Sequence, residues 1–189
     1  MDYTDDIKSY ILEEKRVLDS LNIDDINTVM NVFEETRKNR NRIFICGNGG
    51  SAATASHFVC DFNKGVNEFV EPKYNFECLS DNVPTMMAVS NDIDYAEVFR
   101  LPLSCKLQQG DLVVGISGSG NSRNVVNAFE YAQKHGGKTV AIVGYDGGKM
   151  FKMSDYHIHV NVNNMQVVED LHMVMDHLMM YTLCKCNKK

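Results

Sequence analysis

The chain has 189 residues, 44% of them hydrophobic, and a formal net charge of -6 at pH 7. A chain of this length buries a sizeable core without metal or disulfide staples, so we expect a single domain over 1–189. The acidic balance argues against binding to nucleic acid or a membrane surface, and no apolar run approaches the length of a membrane span. The acidic N-terminus has no apolar stretch and the 6 cysteines are scattered, which predicts a cytoplasmic protein with free thiols.

The first 40 residues are predicted to be helical. Residues 4–39 carry apolar side chains at helical spacing among charged ones, which indicates two helices. Their junction falls at 22–25, and Asp24 or Asp25 is the expected N-cap of the second helix. Helices in this position often form an oligomer surface; the alternative is that they cover the sheet.

From residue 41 onward, short apolar runs alternate with helical patterns and form an α/β core over 41–189. We predict strands at 42–46, 75–79, 112–116, 139–143 and 156–160, and helices at 50–63, 83–91, 121–135 and 165–184. Such alternation predicts right-handed βαβ units and a three-layer fold, with a five-stranded parallel sheet flanked by helices. Ligands bind such sheets at the carboxyl ends of the strands, where the strand order reverses.

Two glycine- and serine-rich loops lie at predicted strand ends. The first loop, 46–51, reads Cys-Gly-Asn-Gly-Gly-Ser, and the second loop, 117–122, reads Ser-Gly-Ser-Gly-Asn-Ser. Each opens a helix, whose free amides and dipole attract anions, and the serine hydroxyls add donors. Neither loop has a Walker or dinucleotide signature. One such turn alone would be interpreted as a simple connection between a strand and a helix. Two of them in one small domain predict a phosphate site.

Two pairs of side chains have the spacing of metal ligands on helices. His57 and Asp61 are four residues apart, and Glu169 and His177 are eight apart, so each pair shares a helix face. Two imidazoles and two carboxylates suit a tetrahedral zinc or a similar divalent ion, although this spacing also arises by chance on solvated faces. His172 and Asp176 form a further pair on another face, which we interpret as surface or interface residues.

Together these motifs resemble the phosphoheptose isomerase group of the sugar isomerase (SIS) family. The resemblance rests on Gly-Asn-Gly-Gly-Ser-Ala-Ala at 47–53 with His57 following, Asn91-Asp92, the run at 115–122 and the glycine turn at 144–148. It implies the flavodoxin-like SIS fold in a homotetramer, with N-terminal helices used in oligomerisation and sites between subunits. It also implies conversion of sedoheptulose 7-phosphate to D-glycero-D-manno-heptose 7-phosphate, often with zinc.

The resemblance also implies roles for particular residues. Phosphate-binding groups fall on serines of the two loops, namely Ser51, Ser117, Ser119 and Ser122. Other substrate positions fall on Asn48, Gly49, Gly50, Asp92, Gly118, Gln166 and Glu169. Metal positions fall on His57, Asp61, Glu169 and His177, of which Asp61 and His177 are expected to move protons as base and acid.

Several residues depart from the family pattern at the sugar end of the site. Glutamate is usual at Asp61, glutamine at Glu169, threonine at Gly118, arginine at Gly65 and aspartate at Gln166. Aspartate is one methylene shorter than glutamate, so either the backbone compensates, the substrate sits closer, or Asp61 is a ligand and not a base. The extra carboxylate at 169 predicts a stronger dependence on metal, because a cation removes the repulsion between carboxylates.

A second interpretation is a non-catalytic phosphosugar-binding SIS protein that acts through a protein partner, like the DnaA initiator-associating protein. That protein lacks the acid and base groups, whereas this chain keeps His57, Asp61 and His177. The enzyme is therefore the favoured interpretation.

Overall fold

A computed structural model describes residues 1–188 and places a parallel sheet between two helical layers. The strands are β1 (Ile43–Gly47), β2 (Phe76–Cys78), β3 (Leu112–Ser117), β4 (Lys138–Val143) and β5 (Tyr156–His159). The helices are α1 (Thr4–Asp19), α2 (Ile23–Lys38), α3 (Gly50–Cys60), α4 (Val83–Asp92), α5 (Arg100–Ser104), α6 (Arg123–Lys134), α7 (Gly148–Met153) and α8 (Met165–Asn187). Of the helices within 1–188, none combines the length and the apolar character needed to cross a membrane.

The strand order is β2-β1-β3-β4-β5, and every neighbouring pair is parallel. The chain moves from β1 outward to β2 and then returns to the other side of β1, so the order reverses between β1 and β3. The predicted three-layer α/β fold with a five-stranded parallel sheet is therefore confirmed. The two serine-rich loops follow β1 and β3, which places both at the reversal point where such sheets bind ligands.

Alternating strand residues build a core on each face of the sheet. Ile43 and Ile45 of β1 pack with apolar residues of α2, α3 and α8, whereas Phe44 and Cys46 pack with α5 and α6. All four are fully buried, as expected for a parallel strand covered on both faces. Burial on both sides fixes the strand ends, and hence the positions of the two loops.

Helix α1 begins at Thr4 as predicted, whereas α2 begins slightly earlier than predicted. Asn22, rather than Asp24 or Asp25, caps α2, because its side-chain oxygen accepts from the amides of both aspartates at 3.0 and 3.3 Å. An N-cap side chain binds the amides of the residues two and three places further along the chain. The predicted cap, Asp24 or Asp25, was therefore two or three residues too late. On α1 a set of apolar side chains is exposed: Ile7, Ile11, Leu12 and Leu18.

Candidate functional site

The first loop makes a tight turn into α3 at the end of β1. A Cβ atom on Gly47 would lie 2.6 Å from the Ser51 carbonyl oxygen, so only glycine fits there. Gly49 has a φ of 55°, a conformation that glycine adopts without strain. Ser51 is buried in the first turn of α3, beside amides that have no partner within the helix. The first loop therefore has the backbone geometry of an anion site.

The second loop is held by its own hydroxyl groups. The Ser117 and Ser122 Oγ atoms are 3.0 Å apart, and Ser117 Oγ accepts from the Gly120 amide at 3.2 Å. Ser119 is exposed, and its Oγ accepts from the Asn121 amide at 3.2 Å. Four predicted phosphate residues thus lie on two loops at adjacent strand ends.

Asn48 joins the two loops. Its side-chain amide exchanges two hydrogen bonds with that of Asn124 at the start of α6, at 2.9 and 2.8 Å. The Tyr95 hydroxyl donates to the same Asn48 oxygen at 2.7 Å. These contacts fix the spacing of the loops, and contact between Asn48 and a sugar stays a prediction.

A pocket beside the second loop contains polar residues that the sequence did not point to. It is lined by Ser119, Asn121, Tyr145, Asp146, Asn161, Asn163 and Met165. Tyr145 has a φ of 47°, which is unusual outside glycine and frequent at functional sites. The Asn-x-Asn of 161–163 precedes α8 without any motif of its own, so only the folded chain brings it here.

Helices α3 and α8 lie side by side and run in the same direction. Glu169 lies against Gly50 near their N-terminal ends, since a Cβ atom on Gly50 would be 2.7 Å from a Glu169 carboxylate oxygen. About two turns further along, the Nε2 atoms of His57 and His177 are 3.1 Å apart. The pair of helices therefore presents one carboxylate beside the first loop and two imidazoles further down.

Two aspartates join these imidazoles in a compact group. His57, Asp61, Asp176 and His177, the His/Asp group, each offer one ligand atom, and these atoms lie within 4.8 Å of one another. His57 Nε2 is 3.6 Å from Asp61 Oδ2 and 3.9 Å from Asp176 Oδ2. Asp61 opens a π-helical turn, Asp61–Gly65, that continues α3. Such turns are frequent at functional sites.

Glu169 lies outside this group within one chain, and its predicted part in metal binding stays a prediction. Eight residues of helix separate it from His177, which is a rise of about 12 Å. Asp176, adjacent to His177, is the fourth member of the group. A role for Glu169 in substrate binding stays a prediction, as it does for Gln166 and Asp92, which are both exposed.

Asp176 and His172 are buried rather than at the surface, so that interpretation was wrong. They lie on the apolar stripe of α8 with Leu171, Met175 and Met179, at 0% and 1% exposure. Burial raises the pKa of Asp176 to about 8, and the charge of Asp61 adds to the effect. Burial lowers the pKa of His172 to about 4, and the backbone of Val143 offsets a little of that shift.

At two departures from the family pattern, Gly118 and Gly65, a methionine side chain occupies the space next to the glycine. A Cβ atom on Gly118 would lie 2.6 Å from Met165 Sδ, and one on Gly65 would lie 2.3 Å from Met180 Cε. A threonine or an arginine at these places would therefore need its methionine to move. The exposed Lys64 beside Gly65 pairs with Glu68 at 3.0 Å.

The His/Asp group fits a divalent metal ion. A tetrahedral zinc with bonds of about 2.0–2.1 Å holds its ligand atoms roughly 3.3 Å apart, close to the separations of 3.1 and 3.6 Å around His57. Both oxygens of Asp176 are buried and lack a hydrogen-bond partner among residues 1–188. A cation would satisfy them.

Comparisons with known proteins identify the family. The SIS domain family model matches residues 2–144. The phosphoheptose isomerase of Aliarcobacter butzleri is 36% identical over 158 residues, 80% of this chain and 77% of the relative. That of Helicobacter pylori is 35% identical over 172 residues, 91% of this chain and 86% of the relative.

A solved structure extends the likeness to nearly the whole fold. Phosphoheptose isomerase GmhA from Neisseria gonorrhoeae matches with a TM-score of 0.89 at 25% identity, over 97% of this chain and 100% of that one. Residues 2–144, which the family model matches, include both serine-rich loops and α3. The chain belongs to the phosphoheptose isomerase group of the SIS domain family.

Proposed function

We propose that this chain is an aldose–ketose isomerase that converts sedoheptulose 7-phosphate to D-glycero-D-manno-heptose 7-phosphate. The observation that carries the proposal is the spacing along α3 between Ser51 and His57. Six residues of helix rise by about 9 Å, which is comparable to the distance between the phosphate and the reacting carbons of an extended heptose phosphate. The relatives named phosphoheptose isomerase support the same substrate.

The two loops would bind the phosphate. The amides at the start of α3 and the exposed hydroxyl of Ser119 are donors that suit a phosphate dianion. Binding energy gained there, far from the reacting carbons, would hold C1 and C2 beside the His/Asp group.

Asp61 and His177 would carry out the proton transfers. In the forward direction Asp61 removes a proton from C1 of the ketose and returns it to C2 of the enediol. His177 protonates the oxygen on C2 and accepts the proton from the oxygen on C1. The π-helical turn at Asp61 supports the alternative in which the backbone compensates for the shorter side chain.

A zinc or another divalent ion would be held by His57, Asp61 and His177. When bound, such an ion would polarise the substrate oxygens. It would thereby supply the charge stabilisation that His177 otherwise provides as an acid. Asp61 keeps a second carboxylate oxygen for proton transfer, because a monodentate ligand uses only one.

We also propose a cytoplasmic homotetramer, with sites between subunits, built from single SIS domains. The exposed apolar side chains of α1 support an oligomer surface there. The pocket beside Ser119 and the apolar pocket at His177 are separate within the described chain, which agrees with a site completed by another copy. Light scattering of the purified protein tests the assembly.

Turnover of sedoheptulose 7-phosphate with added zinc tests the activity, for the native chain and for His177→Ala. We expect an aldose product by NMR and loss of turnover in the variant. The exposed Glu68→Gln on the neighbouring turn serves as the control and should keep native turnover. Tight phosphosugar binding by calorimetry without turnover would contradict the proposal and favour the non-catalytic binding protein.

A further inference from the structure

The side-chain amides of Asn48 and Asn124 face each other between the two serine-rich loops. Asn124 is the second residue of α6 and has 2% exposure, although a buried amide destabilises a fold unless its polar atoms are paired. Asn48 Nδ2 donates to Asn124 Oδ1 at 2.9 Å, and Asn124 Nδ2 donates to Asn48 Oδ1 at 2.8 Å. The two amides therefore hold each other in one relative orientation.

The backbone of α6 sets the direction of these hydrogen bonds. The Val125 amide donates to Asn124 Oδ1 at 3.0 Å. A backbone N–H can only donate, so the Asn124 oxygen must lie on that side and its Nδ2 atom must face Asn48. The Tyr95 hydroxyl adds a second donor to Asn48 Oδ1 at 2.7 Å. If the Asn48 amide turned over, donor would face donor and oxygen would face oxygen, so both bonds to Asn124 would be lost.

This arrangement leaves Asn48 with a single unused hydrogen-bonding capacity, which is a donor. An amide oxygen has two lone pairs, and Asn124 and Tyr95 occupy both of them. An amide nitrogen has two hydrogens, of which one is bound by Asn124. The second hydrogen has no partner among residues 1–188. Because Asn48 is only half-buried, a ligand at the first loop can reach this hydrogen.

We propose that Asn124 and Tyr95 are positioning residues that make Asn48 a hydrogen-bond donor, and not an acceptor, toward an oxygen of the sugar. The inference rests on the proposed function, because it concerns the same substrate site. An amide that is oriented before the substrate arrives loses less entropy on binding than one that is free to turn. The buried amide of Asn124 would thus serve substrate recognition as well as the contact between the two loops.

A double-variant cycle in kcat/KM for sedoheptulose 7-phosphate tests the proposal. Asn124→Leu keeps the branched shape of the side chain and removes its polar atoms, so the Asn48 amide loses its fixed orientation. We expect kcat/KM to fall about tenfold, the upper range for one hydrogen bond between neutral groups, and Asn48→Ala to cause a similar loss. Because Asn124 acts through Asn48, adding Asn124→Leu to Asn48→Ala should change kcat/KM by less than about twofold.

A second variant does not disturb the core. Tyr95 is exposed, and Tyr95→Phe removes only the hydroxyl that donates to Asn48. Its effect should be smaller, about threefold in kcat/KM, because the bonds to Asn124 remain. This loss should also disappear when Asn48 is already alanine.

Asn127→Ala is the matched control on α6. Asn127 donates to the Ala96 carbonyl at 3.1 Å and to Glu97 Oε1 at 3.0 Å, so its loss loosens the contact between α6 and the turn that carries Tyr95. The substitution does not touch Asn48. The melting temperature should fall, while kcat/KM should stay within about twofold of the native value.

Calorimetry with sedoheptulose 7-phosphate and, separately, with inorganic phosphate makes the test independent of turnover. Asn124→Leu should weaken binding of the sugar phosphate about tenfold and leave the affinity for inorganic phosphate unchanged, because Asn48 contacts the sugar. Additive losses in the cycle, native affinity in Asn124→Leu, or an equal loss in Asn127→Ala would overturn the positioning proposal while native turnover left the isomerase proposal standing.

A native chain that binds the sugar phosphate without turnover would contradict the isomerase proposal alone. In that case the same cycle, measured in binding affinity, would still decide whether Asn124 acts through Asn48. A native chain that does not bind sedoheptulose 7-phosphate would overturn both proposals.

Discussion

The Oδ2 atom of Asp176 lies 3.9 Å from the Nε2 atom of His57, although the Asp176 side chain is completely buried. The next residue, His177, is exposed and approaches the same imidazole at 3.1 Å. Consecutive residues of α8 thus reach His57 from the core and from the surface. Because Asp176 belongs to the core and His177 to the candidate site, this part of α8 contributes both to the stability of the fold and to the chemistry of the site.

Removing the proposed base should stop the chemistry while leaving substrate binding nearly intact. Asp61→Asn keeps the shape of the side chain but cannot accept a proton, so we expect kcat to fall by about 100-fold or more. KM should change little, because the phosphate is held elsewhere. Steady-state kinetics measure both; a large rise in KM with unchanged kcat would assign Asp61 to binding instead.

Removing a hydrogen-bond donor to the phosphate should instead raise KM and change kcat little. Ser119→Ala deletes an exposed hydroxyl of the second loop, and a hydrogen bond to a charged group contributes about 1.5–3 kcal/mol. We expect KM to rise about tenfold or more and inorganic phosphate to become a correspondingly weaker inhibitor. Ser104→Ala, whose hydroxyl bonds to the Leu101 carbonyl in α5, is the control. An unchanged KM in Ser119→Ala would exclude this hydroxyl from phosphate binding.

We expect that glycine is needed at position 118 because the Met165 side chain leaves no room for a larger residue, rather than for contact with the substrate. Its Cβ would lie 2.6 Å from Met165 Sδ, so Gly118→Thr should lower the melting temperature and disturb the second loop. Adding Met165→Ala should restore part of the loss, because it removes the clashing atoms. Thermal melts of the two single variants and the double variant measure this coupling. Additive losses would show that Met165 is not the obstacle.

Burial of His172 should make the fold acid-sensitive. Its pKa is lowered to about 4 in the folded chain, below the ordinary value of 6.5, so the unfolded chain binds more protons between these values. Stability from the neutral imidazole is complete above pH 6.5 and is lost as the pH falls toward 4, by about 1.4 kcal/mol per unit.

Chemical denaturation at pH 7 and pH 4.5 checks this prediction. In His172→Leu the difference between the two pH values should shrink relative to the native chain. His135→Gln, which changes an exposed histidine, should keep the native difference. A pH dependence that is the same in all three proteins would contradict a buried neutral His172.

Strand and loop positions were predictable because their causes are local. Apolar runs such as 112–116 are bounded by turns, and a parallel strand covered on both faces must be apolar throughout. The short helices α5 and α7 were not predicted, since five or six residues are too few to show a helical period. The π-helical turn at Asp61 gives no signal in the pattern of side chains.

The fourth member of the His/Asp group could have been suspected from the sequence. His172 and Asp176 fall at the spacing of Val168, Leu171, Met175 and Met179, which is the stripe that α8 buries. The prediction that His172 and Asp176 are at the surface relied on their residue types, although their positions on this stripe indicate burial. What no pattern could supply is the parallel alignment of α3 and α8, because it depends on how both helices pack on the sheet.

The relative turnover of sedoheptulose 7-phosphate and fructose 6-phosphate tests the proposed substrate most directly. The spacing between the Ser51 turn and the His/Asp group fits seven carbons, and a misfit of one carbon unit costs about tenfold or more in kcat/KM. We therefore predict that kcat/KM is at least about tenfold higher for the heptulose phosphate, with an aldose product identified by NMR. Equal or faster turnover of the hexulose phosphate, or no turnover of either, would contradict the assignment.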